Sequence, residues 1–106
     1  MRKCIVVEGR ADKLRMKPIL AEDVTILCTN GTISEVDLID LLQAYEHDEI
    51  VTFFDADKNG EKLRKLMKRA FPEAQQMIIP KQYIEVEKTP TAILRDLLQQ
   101  AKFLVR

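Results

Sequence analysis

Four short apolar runs, β-branched and nearly unbroken, constrain this chain more than any other feature. They are KCIVVE (Lys3 to Glu8), VTILCT (Val24 to Thr29), EIVTFF (Glu49 to Phe54) and QMIIP (Gln76 to Pro80). A strand with one wet face alternates apolar and polar residues; a run without alternation is covered on both faces. Helical patterns lie between these runs. Arg10 to Lys17 reads as a short helix ended near Pro18. Ser34 followed by Asp37 resembles a capping box, and Leu38, Leu41, Leu42 and Tyr45 then recur at helical spacing. From Asn59 to Ala70, the residues Leu63, Leu66, Met67 and Ala70 form an apolar stripe. Thr89 then Pro90 suits an N-cap followed by proline at the first helical position, ahead of Ile93, Leu94, Leu97, Leu98 and Ala101. Strand then helix, four times over, predicts an α/β three-layer sandwich: a four-stranded parallel sheet flanked by helices.

At 106 residues the chain suits one domain, spanning residues 1–106. Apolar residues at 46% and charged residues at 32% predict a folded, soluble protein. Lys plus Arg equals Asp plus Glu, at 17 each, so no whole-molecule basic field is available to grip nucleic acid. Such contact needs a local patch. No apolar run approaches the roughly 20 residues that span a bilayer. The first run is too short for a signal-peptide core and is interrupted by Glu8, which makes the cytoplasm the expected compartment and a membrane partner unexpected. Cys4 and Cys28 sit in strand-like runs with no further Cys or His placed to complete a site, and read as buried free thiols.

Gly9, Gly31 and Gly60, the three glycines of the chain, each fall just past the end of a predicted strand. That rim is where open α/β sheets bind ligands, and it is also where strand-to-helix turns need glycine. Both readings stay open on the glycines alone.

The segment FFDADKNGEKLR opens like a calcium loop, with Asp55, Asp57, Asn59 and Gly60 at positions one, three, five and six. Position twelve is Leu66, which coordinates nothing, and the residues before Asp55 read as a buried strand. The calcium-loop reading therefore fails. What remains is a strand ending in Asp-Ala-Asp, while the first strand ends in Glu8-Gly9. With the strands in order 2-1-3-4, the first and third are neighbours and Glu8 lies beside Asp55, with Asp57 just beyond. Carboxylates that close repel one another unless a cation sits among them. An all-oxygen set favours a hard ion such as Mg²⁺ over zinc. Two plainer readings stand beside this one: Asp57 as a helix cap and Glu8 as a solvated strand end.

No GxxxxGK[ST], GxGxxG or GxSxG occurs, and His47 is the sole histidine, in a polar connection. P-loop, dinucleotide and Ser-His chemistries are thereby set aside. Lys58, Lys62, Lys65 and Arg69 recur along one face of the third predicted helix, with Arg64 and Lys68 flanking it. That face is either simply solvated or a phosphate grip that weakens with salt.

VVEGRAD and FFDADKNGEKLR resemble the two motifs of the Toprim domain, a Glu-Gly ending one strand and a DxDxxG following a later one. CTNGTIS resembles the segment between them. VEKTPTAILRDLL is similar to the end of the Toprim part of the bacterial ribonuclease that matures the smallest ribosomal RNA. The resemblance covers most of the chain and implies Mg²⁺-dependent phosphodiester chemistry on nucleic acid, with RNA the expected partner ahead of DNA. It implies Glu8 as general acid or base and Glu8, Asp55 and Asp57 as the metal-holding acids. Gly9, Asp12, Asn30, Gly31 and Gly60 would line the same rim, with Lys58, Lys62 and Lys81 reaching the substrate. Ribonucleases of this kind carry a further C-terminal region that grips RNA. This sequence ends at Arg106 without one, so a protein partner that supplies the grip is expected. Two other readings are carried forward: a non-catalytic binding module that keeps the acidic rim, and, last, a phosphoacceptor receiver domain. The receiver would want paired acids after the first strand and a single Asp after the third, the reverse of what is present.

Overall fold

The protein, as a computed structural model, is described over residues 2–106. The four apolar runs are strands: β1 (Lys3–Val7), β2 (Thr25–Cys28), β3 (Glu49–Phe54) and β4 (Gln75–Ile78). All pairings among these four strands are parallel and the order is β2-β1-β3-β4, as expected. The helices are α1 (Arg10–Met16), α2 (Glu35–Leu42), α3 (Lys58–Ala70) and α4 (Thr91–Gln100).

Alternate residues of the central strands supply two separate cores, which is why the runs show no polar alternation. Ile5, Val7, Val51 and Phe53 face one way and pack with Met16, Leu94 and Leu98, placing α1 and α4 on that side. Cys4, Val6, Ile50 and Phe54 face the other way against Leu38, Leu42, Leu63 and Met67, placing α2 and α3 there. Fully burying a side chain of this kind stabilises by roughly 1.5–3 kcal/mol. Among the described residues no helix is long and apolar enough to cross a membrane.

Helix ends follow the expected chemistry with two differences. Ser34 Oγ accepts the Asp37 N–H at 3.1 Å, capping α2. α3 begins at Lys58, one residue before the expected Asn59, because Asp57 caps it. At α4 the N-cap is Pro90 rather than Thr89. Thr89 is instead buried at the end of a 3₁₀ turn, Val86–Lys88, and its hydroxyl donates to the Glu85 carbonyl at 2.9 Å. That local bond, made backwards, outcompetes a cap of the helix ahead. Both cysteines are free, Cys4 buried and Cys28 half-buried.

Candidate functional site

The acids meet because the two strands that end in them are paired. Val7 pairs with both Cys28 and Phe53, so Glu8 leaves the sheet between its neighbours. Its backbone carbonyl accepts the N–H groups of Asn30 at 2.8 Å and Gly31 at 3.2 Å. Both donors sit in left-handed backbone, φ 61° and 89°, a region open to Asn and Gly more than to other residues. The Glu8 side chain turns toward β3. Oε2 accepts the Asp55 N–H at 2.6 Å and Oε1 accepts Asn59 Nδ2 at 2.7 Å. Glu8 is 8% exposed, so it is a buried, double-anchored carboxylate and not a solvated strand end.

Asp55 is held through its backbone and one carboxylate oxygen. Its Oδ1 accepts the Val86 N–H at 2.8 Å and its carbonyl accepts Arg64 Nη1 at 2.9 Å. Gly60 packs against that same carbonyl; a Cβ there would lie 1.8 Å from the oxygen. Asp57 is exposed, and its Oδ1 accepts the Gly60 N–H at 2.8 Å. The helix-cap reading of Asp57 is thus correct as far as Oδ1 goes, and Oδ2 has no protein partner among the described residues. Asp12 is buried in the first turn of α1, where its Oδ2 accepts the N–H of Gly9, the N-cap residue, at 3.0 Å.

Burial raises the Asp55 carboxyl first, the Val86 N–H opposes it, and the negative charges of Glu8, Asp12 and Asp57 add to it. The outcome is a pKa pushed up to about 7. Asp12 is also raised, by burial above all; the Gly9 N–H works against this, and Glu8, Glu87 and Glu85 add to it. Among the described residues, however, no three His, Cys, Asp or Glu side chains form a ready-made metal cage. Each rim acid is satisfied in part by a donor of the protein itself.

The cationic residues lie along the helix and the turn beyond the acids. Lys58 and Lys62 are exposed on the first turns of α3. Lys81 is exposed in a 3₁₀ turn after β4, with no hydrogen bond or ion pair to the rim acids among the described residues. Arg64, read from sequence as a flank of the basic face, spends its guanidinium on the Asp55 carbonyl. Arg69 is paired with Glu35 at 2.6 Å. In the sequence Asn59 reads only as a helix start or a failed calcium ligand. In the structure its Oδ1 accepts from Thr32 Oγ1 at 3.0 Å while Nδ2 holds Glu8. Its place in the first turn of α3, just past the Asp-Ala-Asp segment, is the available signal. The contact from Val86 is made by a backbone group, which leaves no trace in residue type. A cleft of about 590 Å³ opens at the far end of the strands, among Glu46, Asp48, Phe71 and Glu73, away from this rim.

The Toprim domain family model matches residues 3–89. The chain is similar to the uncharacterized protein YusF of Bacillus subtilis strain 168, 37% identical over 105 residues, covering 99% of this chain and 72% of that one. It is 35% identical over 82 residues to ribonuclease M5 of the same strain, covering 76% of this chain and 43% of the enzyme. The chain therefore spans less than half of that ribonuclease. A small TOPRIM domain protein from Bacillus stearothermophilus superposes with a TM-score of 0.95 at 43% identity, over 100% of this chain and 90% of that one. Toprim domains generally bind a divalent metal, and the ribonuclease similarity supports a part in nucleic-acid processing. Motifs, sheet order and the match over most of its length agree: the chain belongs to the Toprim family.

Proposed function

We propose that this protein carries out Mg²⁺-dependent phosphodiester chemistry on RNA, cleaving or processing it, with Glu8 as general acid or base and Asp55 and Asp57 holding the metal. The observation that carries this reading is the 2.6 Å bond from the Asp55 N–H to Glu8 Oε2, which joins two chain segments 47 residues apart at one rim. The donor set fits a hard cation. Every acidic side chain of the rim offers oxygen, and Asp55 Oδ2 and Asp57 Oδ2 have no partner among the described residues. The raised Asp55 pKa marks a carboxylate that a nearby cation would relieve. Mg²⁺ characteristically uses one or two carboxylates and keeps its remaining positions for water and phosphate, so a full protein cage is not required.

When bound, the metal supplies positive charge against the developing charge on the phosphate. The chain's own residues supply the rest. Asn59 and the Asp55 N–H fix both oxygens of Glu8, each of which keeps a lone pair to take or return a proton. Gly60 lets α3 start directly under the Asp55 carbonyl. Lys58, Lys62 and Lys65 lie exposed along α3, leading away from the rim, and serve as the local phosphate grip that net charge does not provide. Gly9, Asp12, Asn30 and Gly31 shape the rim around Glu8, and Lys81 is the outlying member of the substrate set. RNA is preferred over DNA, with a protein partner supplying further grip, in a cytoplasmic setting.

The test is incubation of purified protein with structured RNA and Mg²⁺. Glu8→Gln is expected to slow cleavage by about 10²–10⁴-fold while RNA binding survives. One observation favours a second reading, a non-catalytic binding module: the rim acids already satisfy one another's neighbours and form no three-acid cluster. RNA binding without cleavage under any divalent ion would establish that module instead.

A further inference from the structure

The segment after β4 contains the most unusual backbone among the described residues. Ile84 has φ 62° and ψ −54°, and the Glu85 N–H donates to the Tyr83 carbonyl at 2.6 Å across it. That is a γ-turn of positive φ, a rare and strained conformation. A β-branched residue at positive φ is an outlier even among turns. The other two positive-φ non-glycine residues, Asn30 and Lys102, are not β-branched. The Ile84 side chain is also 52% exposed, so apolar burial does not explain the turn.

The turn aims two backbone groups at the acidic motif. The Ile84 carbonyl accepts the N–H of Ala56, the residue between the two aspartates, at 2.6 Å. Two residues on, the Val86 N–H donates to Asp55 Oδ1 at 2.8 Å. Behind the turn the segment is locked. The Lys88 N–H and the Thr89 hydroxyl both donate to the Glu85 carbonyl, and the Arg15 guanidinium donates to the Thr89 carbonyl from α1. A relaxed conformation at Ile84 would reverse its φ and withdraw the carbonyl from Ala56. Strain of this kind persists where the surroundings over-determine it, and it gathers at functional sites.

We propose that Tyr83–Val86 is a strained backbone strap that sets the position of the Asp55-Ala56-Asp57 segment, making Ile84 a positioning residue for the acids. The inference rests on the metal-binding reading given above. Through the strap, the orientation of Asp55 Oδ2 is fixed before a ligand arrives, as pre-organised sites require. Loss of such outer support lowers metal affinity by about 10–100-fold.

Ile84→Pro and Ile84→Gly test the strap from both sides, the proline also losing the Ile84 N–H that donates to the Lys81 carbonyl at 3.2 Å. Proline cannot take positive φ, so the strap is released; glycine takes it freely, so the strap remains. Titration with Mg²⁺ alone, by calorimetry, is expected to show affinity weakened at least tenfold in Ile84→Pro. In Ile84→Gly it is expected within about twofold of wild type, with the melting temperature no lower. Unchanged Mg²⁺ affinity in a folded Ile84→Pro overturns the strap and leaves the functional reading standing. If Ile84→Pro does not fold, amide hydrogen exchange of the wild-type protein decides. Slow exchange at both Ala56 and Val86 supports the strap, and fast exchange at either overturns it. Absence of Mg²⁺ binding by the wild-type protein removes the functional reading, and the strap's role falls with it.

Discussion

Asp55 is the residue at which the competing forces of the rim are concentrated. Burial and three neighbouring carboxylates hold its pKa at about 7, well above the ordinary 3.8, despite the Val86 N–H. A folded-state value above the unfolded one means that the native protein keeps a proton the unfolded chain has released. The stabilisation tied to that proton is fully present below about pH 4 and is lost as pH rises through about 7. Metal-free Asp55→Asn is therefore expected to be more stable than wild type at pH 8. The gap should close on acidification toward pH 4, since an amide can still accept from Val86. Chemical denaturation at the two pH values checks this; a gap that widens in acid would contradict it. Residue type makes part of this legible in advance. Glu8 and Asp55 end paired strands, so their meeting follows from strand order. The Asn59 amide that holds Glu8 is harder to read, because an Asn after DxD has several ordinary uses.

Among the elements, α3 shows how a helix is both a structural and a positional device. Asp57 caps it, Leu63 and Met67 bury it, and Gly60 sits in its first turn. By intrinsic propensity, replacing a helical Gly with Ala stabilises by about 1 kcal/mol. Here the added Cβ would meet the Asp55 carbonyl at 1.8 Å, a backbone atom in the site itself. The steric effect wins, and Gly60→Ala is expected to destabilise by about 1–3 kcal/mol, lowering the denaturation midpoint. A raised midpoint would show that Asp55 yields easily. The basic face of α3 is legible as a periodicity but not as a uniform row. Arg64 turns inward to Asp55 and Arg69 pairs with Glu35, leaving the lysines as the free cations of the face among the described residues. The mistaken cap of α4 has a similar cause: Thr89 next to Pro90 has the right types for a helix start, but its hydroxyl reaches back to Glu85.

For the molecule as a whole, the fold is the more legible part, because continuous apolar runs and intervening helical periods leave few layered solutions. Cys4 and Val6 face one core while Ile5 and Val7 face the other, and that two-sided burial is what the unbroken runs encode. The strap from Tyr83 to Val86 escapes the sequence because main-chain groups make its contacts. The whole-molecule charge is balanced, yet carboxylates gather at both ends of the strands: Glu8, Asp12, Asp55 and Asp57 at one, and Glu46, Asp48 and Glu73 beside the cleft at the other. Only the first group joins two motif segments through a direct bond. Paramagnetic broadening by substoichiometric Mn²⁺, read amide by amide in the NMR spectrum, distinguishes them. The expected result is selective loss of the Gly9, Ala56 and Lys58 signals, abolished by Asp55→Asn. Broadening centred on Asp48 and Glu73, or spread evenly over the surface, would contradict a divalent-metal site at the rim.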